Sequence, residues 1–323
     1  MSADFPIFLA PMAGVTNTVF RRICRAKGAD VLTTEFVSAE GILHRNERTK
    51  YYLEFVEEER PLGVQLFGAE PERLAEAARA VIDWVRPDFL DLNFGCPVNK
   101  VVCKNGGSAL LRDCPLLSRV AEAVVKASAP VPVTAKIRIG WDRNSVNATQ
   151  TAAILEQSGI QRIAVHGRTK EQGYSGEADW NVIAQVAAAV KVPVIGNGDI
   201  TSAADVLLRK RETGVSGVMI GRAAMASPWI FEEIQAALAG VESPAPPTME
   251  ERWKMIREHC EGEIVWRRDE KIAMKAMRAR LMAYTRGMPE GARLRERLSH
   301  VQSIAQLDDI AATHLAHVAE AAA

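Results

Sequence analysis

Residues 161–220 read QRIAVHGRTKEQGYSGEADWNVIAQVAAAVKVPVIGNGDITSAADVLLRKRETGVSGVMI. Three short β-rich apolar runs stand in this stretch: QRIAVH (161–166), PVIGN (193–197) and SGVMI (216–220). The pattern SAADVLLRKRE (202–212) between the last two has helical periodicity. Strand and helix in alternation predict a parallel sheet, because parallel strands are joined by crossover helices. The same alternation runs back toward residue 6. PIFLA (6–10), VLTTEF (31–36), LGVQLF (62–67), FLDLN (89–93) and VPVTAKIR (131–138) are strand candidates. PERLAEAARAVIDW (71–84) and DCPLLSRVAEAVVKA (113–127) are helix candidates. Eight such units predict an α/β fold of the (β/α)8 TIM-barrel type. An open doubly wound sheet is the competing arrangement, but no GxGxxG follows the first strand.

The alternation breaks at AGVESPAPPTME (239–250), where three prolines within four residues stop any helix. Beyond it the chain has helical periodicity and no strand signal. The organisation expected is a barrel domain over 1–240 followed by a small all-helical domain over 241–323. The chain has 323 residues, 48% of them apolar and 25% charged, the proportions of an ordinary globular protein. Its formal net charge is zero, so any nucleic-acid surface must be a local one. The first residues carry no basic leader region, and no run is long and apolar enough for a membrane span. A cytoplasmic location is therefore expected, with five reduced cysteines. Their irregular spacing, without CxxC or HExxH, argues against a metal site. Cys24 and Cys260 read as small apolar residues on helices.

A parallel barrel builds its site where strands end and the following loops begin. Those positions hold APMAG (10–14), Glu35, Gln65, Asn93 to Pro97, Lys136 with Arg138, His166 with Arg168, NGD (197–199) and GRAAM (221–225). Any one of them could be a turn glycine, a helix cap or a solvated charge; the full set is hard to explain so. Gly198 and Gly221 with Arg222 follow strands seven and eight, where barrels often hold a phosphate against backbone N–H groups. Lys136 should sit centrally in the barrel mouth, where a lysine needs an anion or serves as a Schiff base. Two chemistries remain open on this ground: an aldolase-like lysine enzyme, and a cofactor enzyme whose phosphate anchors a flavin. Cys96, fixed between glycine and proline, favours the second. A reduction that adds hydride to one carbon needs a proton donor for its neighbour.

APMAGVTNTVFR, TEFV, GVQLFG, DLNFGCPVNKV, GGSALL, KIRIGW, HGRTKEQGY, PVIGNGDI and MIGRAAMASPWIF occur in that order. Together they resemble the tRNA-dihydrouridine synthase family over about residues 7 to 235, and the helical tail resembles that family's C-terminal domain more loosely. Among bacterial subgroups the B type is most similar, although TEFV and HGRTKEQGY are also similar to the C type. The resemblance implies reduction of a uridine C5–C6 bond in tRNA, with FMN recharged by NADPH. It implies that Pro11, Met12 and Ala13 lie against the flavin and that Gln65 meets the isoalloxazine edge. Lys136 would lie near the flavin pyrimidine, His166 would contact the cofactor, and Asn197, Gly198, Asp199, Gly221 and Arg222 would surround the ribityl and phosphate. Cys96 would be the general acid toward C5, Asn93 would hold the uracil edge, and Arg138 and Arg168 would contact tRNA. Lys100 and Lys104 with NGGSA fit the family's loop after the cysteine; Cys103 reads as a spectator thiol.

A uridine in folded RNA must be turned out into a pocket at a cost of about a few kcal/mol, offset largely by phosphate contacts. Residues 264–300 carry ten basic side chains against four acidic ones. Lys271, Lys275 and Arg278 share one helical face by their spacing of four and three, so tRNA is the expected partner of this segment. The chain is expected to work as a monomer, without metal. The competing readings are a flavin barrel acting on a free pyrimidine or enone, and an RNA chaperone that keeps the fold without chemistry.

Overall fold

The computed structural model describes residues 4–45, 47–98 and 106–322. Eight strand positions close into a nearly complete parallel barrel. They are β1 (Ile7–Leu9), a second position split between β2 (Leu32–Thr33) and β3 (Val37–Ser38), then β4 (Leu62–Phe67) and β5 (Phe89–Phe94). β6 (Val133–Arg138), β7 (Ile163–His166), β8 (Val194–Asn197) and β9 (Gly217–Ile220) complete the set. Neighbours pair in parallel in chain order from β4 to β9, and β9 returns to β1. The last gap is bridged by the Phe8–Val31 pair, where Leu9 N donates to Val31 O at 3.1 Å.

The expected strand over 31–36 is the one that differs: it is interrupted between Thr33 and Val37. Thr34 is the physical reason. Its hydroxyl accepts from the Gln65 N–H at 3.2 Å and donates to the Glu35 carbonyl at 2.9 Å, taking a ladder bond into a side chain. Glu35 then turns its carboxylate to the Gly14 N–H at 2.7 Å, joining the first two strand-end loops.

Period-2 alternation sorts the strands into two cores. Leu90, Leu92 and Phe94 face outward into the layer shared with the surrounding helices. Phe8, Ala10, Phe89, Ala164, Ile195 and Met219 fill the barrel interior. Gly63 leaves the space that the Phe89 ring takes, since a Cβ there would lie 2.1 Å from that ring. Polar Gln65, Asp91 and Thr134 sit in the next layer toward the strand ends.

Between the strands run α1 (Thr18–Ala26), α4 (Pro71–Val85), α5 (Cys114–Ser128), α6 (Ala148–Gln157), α7 (Trp180–Ala189) and α8 (Ala203–Thr213). The short α2 (Ala39–Leu43) and α3 (Glu47–Leu53) follow the broken strand. After β9 come α9 (Arg222–Ala226) and α10 (Ile230–Ala239). Past the proline-rich stretch the chain is helical: α11 (Met249–Arg267), α12 (Glu270–Tyr284), α13 (Gly291–Leu298) and α14 (Ile304–Ala322). Among the described residues no helix is long and apolar enough to cross a membrane.

α11 lies on α1, and α12 lies on α9 beside the barrel mouth. The seam is tight and polar. Asn17 caps α1 and also donates to Glu263, whose other oxygen accepts from Arg267 at 2.7 Å. Arg280 is buried over the Phe20 ring at 4.3 Å and donates to Val15 O at 2.8 Å. Cys24 and Cys260 are both fully buried in their helices. Gly262 admits Val19, since a Cβ at that position would come within 2.6 Å of a Val19 methyl. Helix propensity alone would make any side chain at Gly262 stabilising by up to about 1 kcal/mol. Overpacking acts the other way, so Gly262→Val is expected to lower unfolding stability by about 1–3 kcal/mol, read from the urea midpoint.

Candidate active site

A cleft of about 1100 Å³ opens at the C-terminal ends of the strands. It gathers Pro11, Met12 and Ala13 after β1, Gln65 from β4, Asn93 from β5 and Cys96 after it. Lys136, Arg138 and His166 enter from β6 and β7, and Asn197, Gly198, Asp199, Gly221 and Arg222 from β8 and β9. Phe36, Tyr174, Met225, Glu233, Arg252 and Arg286 complete much of the rim.

Not every expected residue reaches this wall. Arg168 is 2% exposed and lies behind it, donating to Ser175 O, Gly176 O and both oxygens of Asp199. Lys271 and Lys275 are exposed on α12, away from the cleft lining. Arg278 does not share their free face: its guanidinium donates to His300 O and Val301 O, closing the turn after α13. Lys100, Cys103 and Lys104 lie outside the described residues.

Cys96 is 7% exposed, and its main chain is held on both sides. The Asn93 Oδ1 accepts the Gly95 and Cys96 N–H groups at 3.1 and 2.8 Å. The Cys96 carbonyl accepts from Ser108 N and Oγ at 3.2 and 2.8 Å. Burial pushes the thiol above its ordinary value, against the opposing pull of the Val98 N–H and Arg138. The group is therefore a protonated thiol at neutral pH, suited to give a proton rather than to attack as a thiolate.

Below it, Asn93 Nδ2 donates to Gln65 Oε1 and Gln65 Nε2 donates to Asp91 Oδ2, each at 2.7 Å. Thr134 Oγ1 donates to the other Asp91 oxygen at 2.6 Å. Burial raises the Asp91 pKa, while these bonds and Arg162 and Lys136 oppose the rise.

Across the mouth, Lys136 Nζ donates to Asn197 Oδ1 at 3.1 Å. Burial first, then Arg138, lower its pKa to about 8, with Asp91 pulling the other way. Arg138 is 3% exposed and ties two loops together, donating to Gly95 O at 3.0 Å, Thr169 O at 2.7 Å and Gly173 O at 2.9 Å. Asp199, at φ +53°, joins Arg168 to Arg222 and accepts the Ala178 N–H at 2.8 Å. Burial opposes its ionisation, but that N–H and the two guanidiniums hold it below the usual carboxylate range. Gly198 has φ +129°, and a Cβ there would lie 2.6 Å from Ala178, so only glycine fits.

Sequence reasoning assigned no role to Tyr174, Arg252 or Asp91, and Arg286 entered it only as one of the ten basic residues of 264–300. Tyr174 is 62% exposed, with its ring 5.8 Å from the Arg138 guanidinium and 5.2 Å from that of Arg222. Its signal was a lone aromatic in a polar loop. Arg252 and Arg286 lie far along the chain from the barrel strands, and nothing local marks them as rim residues.

His166 is pushed down to about 2 by burial and by four cations around it, Lys136, Arg138, Arg168 and Arg222. It is neutral throughout the physiological range and offers one donor and one acceptor nitrogen. The unfolded chain protonates this histidine near 6.5 and the folded chain does not, so its contribution to stability is full above that pH and declines as pH falls through it. The expected observation is an NMR ring signal of His166 that does not titrate between about pH 8 and about pH 5, where a free histidine would.

The geometry defines a parallel barrel whose mouth sets a cationic wall opposite a protonated thiol. Residues 8–322 match the model of the dihydrouridine synthase (Dus) family. The chain is 39% identical over 297 residues to tRNA-dihydrouridine synthase B of Pseudomonas aeruginosa, covering 92% of this chain and 88% of that one. It is likewise 39% identical over 290 residues to a probable tRNA-dihydrouridine synthase of Rickettsia conorii, covering 90% and 87%. The solved structure of TcOYE with pHBA shares the fold at a TM-score of 0.54 and 12% identity, over 75% of this chain and 90% of that one. The chain belongs to the dihydrouridine synthase family.

Proposed function

We propose that this chain reduces the C5–C6 bond of a D-loop uridine in tRNA to 5,6-dihydrouridine, using FMN recharged by NADPH. The observation that carries the reading is Cys96: a buried, protonated thiol with a fixed main chain, in one cleft with Lys136, His166 and the Gly198 turn. A positioned proton donor beside an anion-binding wall is what a hydride addition to an enone-like base requires.

The residues present suit FMN. Gly198 and Gly221 lie in the cleft lining, where their main chain can approach a phosphate, and Arg222 stands beside them. Pro11, Met12 and Ala13 would form the wall against the ring. Gln65 spends one N–H on Asp91 and one acceptor site on Asn93, leaving one of each for the ring edge. When bound, FMN supplies the hydride chemistry at its N5, delivered to uracil C6 and restored by NADPH.

Lys136 would lie at the pyrimidine end, where an anionic partner returns its pKa toward the ordinary value and keeps it cationic. His166, held neutral, would hydrogen-bond without adding charge. Asn197 orients Lys136 and is itself held by its Nδ2 donating to Met219 O at 2.7 Å. Asn93 would meet the uracil edge, and Cys96 would give its proton to C5. Arg138 would guide the base past the loops it clamps. Asp199 would act on the phosphate side through the two arginines that it orients.

We place the catalytic part in residues 1–240 and the tRNA-holding part in 241–323, with Lys271 and Lys275 as phosphate contacts and Arg252 and Arg286 at the mouth. Arg168 and Arg278 would support this surface from behind. Relatives named without a subgroup are as similar as those named B, so the B-type assignment rests on motif resemblance.

The direct test incubates the protein with NADPH and tRNA lacking dihydrouridine and maps reduced uridines by position. Reduction at a D-loop position is expected; turnover of free uracil or orotate without RNA, and none on tRNA, would overturn the reading. Cys96→Ala is expected to retain flavin but to slow tRNA reduction by about 10²–10⁴, the usual scale for a lost general acid. Because the seam around Gly262 and Arg280 is buried, charge reversal tests the helices better than truncation. Lys271→Glu with Lys275→Glu should weaken binding of unmodified tRNA and flatten its log–log salt dependence by about 2. An unchanged slope would remove these lysines from the interface.

A further inference from the structure

We propose that Asp91 is a positioning residue: acting through the side-chain amides of Gln65 and Asn93, it sets the polarity of a hydrogen-bonded chain that holds Cys96 where its proton is delivered. The inference rests on the reading of Cys96 as the proton donor.

The argument is one of donor and acceptor counting. An ionised carboxylate only accepts hydrogen bonds, whereas a side-chain amide has a donor end and an acceptor end. Asp91 stands directly opposite Gln65 across the β4–β5 ladder and opposite Thr134 across β5–β6. Its Oδ2 takes the Gln65 Nε2 donor at 2.7 Å, which turns Gln65 Oε1 toward Asn93. Asn93 must answer an acceptor with its Nδ2, so its Oδ1 faces the loop. There it accepts two consecutive N–H groups, Gly95 at 3.1 Å and Cys96 at 2.8 Å. The upper end is fixed by backbone donors that cannot reverse, and at the lower end the Asp91 oxygens accept from Gln65 and Thr134. The two amides between them therefore have one consistent orientation. All three side chains are buried, with Gln65 fully so, and water is poorly placed to repair a mismatch.

Polarity can be inverted by substitution, and that gives the test. Asp91→Asn keeps an acceptor toward Gln65 if its new NH2 faces Thr134, whose hydroxyl already lies 3.3 Å from Leu90 O. Asn93→Asp still accepts from the loop but sets a second acceptor against Gln65 Oε1, so one junction in the chain must fail whichever way Gln65 turns. The double variant runs the chain backwards without conflict: the new amide at 91 donates to Gln65, and Gln65 donates to the new carboxylate at 93.

The readout is the rate at which iodoacetamide alkylates Cys96 in the flavin-loaded protein, followed by mass spectrometry, with flavin content recorded for each variant. Asn93→Asp should alkylate about fivefold faster, the factor corresponding to one lost hydrogen bond of about 1 kcal/mol. Asp91→Asn should stay near the wild-type rate, and the double variant should return to within about twofold of it, a non-additivity expected only of coupled residues. A double variant as fast as Asn93→Asp alone, or an Asn93→Asp variant at the wild-type rate, overturns the proposal. Should Asn93→Asp fail to fold, recovery of folded protein by the double variant supports it and failure of both overturns it. Alkylation needs no RNA, so a protein that reduces no tRNA would refute the function while this result still decides the positioning chain.

Discussion

Four cationic side chains, Lys136, Arg138, Arg168 and Arg222, crowd the ends of three strands, β6, β7 and β9, and the rest of the barrel mouth answers to that crowding. Like charges brought out of water repel far more strongly than on a surface, so each must be matched or neutralised. Arg138 is matched by three loop carbonyls, and in being matched it fixes two loops. Arg168 and Arg222 share Asp199. Lys136 responds by losing proton affinity and His166 by staying neutral. Among the described residues, the cleft lining sets two carboxylates, Asp199 and Glu233, against five cationic side chains, Lys136, Arg138, Arg222, Arg252 and Arg286. The remainder is a field that favours an anionic ligand, and it is the physical basis for placing a phosphate and an electron-rich ring there.

That field alone would serve an aldolase-like lysine enzyme on a phosphorylated substrate equally well. The distinction comes from the opposite side of the cleft. Schiff-base chemistry has no evident use for a thiol whose main chain is fixed by three hydrogen bonds and whose proton is retained by burial. The family membership points the same way.

The strand pattern was legible because strands covered on both faces read as short β-rich apolar runs; every residue from Phe89 to Phe94 is buried. The exception, VLTTEF, has the composition of a strand, but Thr34 and Glu35 prefer side-chain bonds to Gln65 and Gly14 that no local pattern reveals. Residues at strand ends were legible as a group, since topology alone brings them to one face. The fate of a charge was not. Arg168 and Arg278 look like surface cations in the sequence, yet both are consumed by backbone carbonyls of later turns, at Ser175 and Gly176 for the first and at His300 and Val301 for the second. Asp91 was hidden for the converse reason: a single acid inside an apolar strand reads as an edge residue until its neighbours in the ladder are known.

The helical segment matters to the site through rigidity as much as charge. Cys96 is nearly buried, so on the proposed reading a uridine within a stacked helix would not reach it, and a base would have to enter the cleft singly. The mouth it would pass has Tyr174 from a barrel loop, and Arg252 and Arg286 from the helices, among its lining. An RNA gripping Lys271 and Lys275 while offering a base to Cys96 would therefore span both parts at once. Its reach along the strand would be set by how firmly α11 and α12 are seated on α1 and α9. Gly262 against Val19, Glu263 on Asn17 and Arg280 on Val15 fix that seating with buried contacts rather than a flexible hinge. Which nucleotide is presented would then follow from the seam as much as from any residue that touches the base.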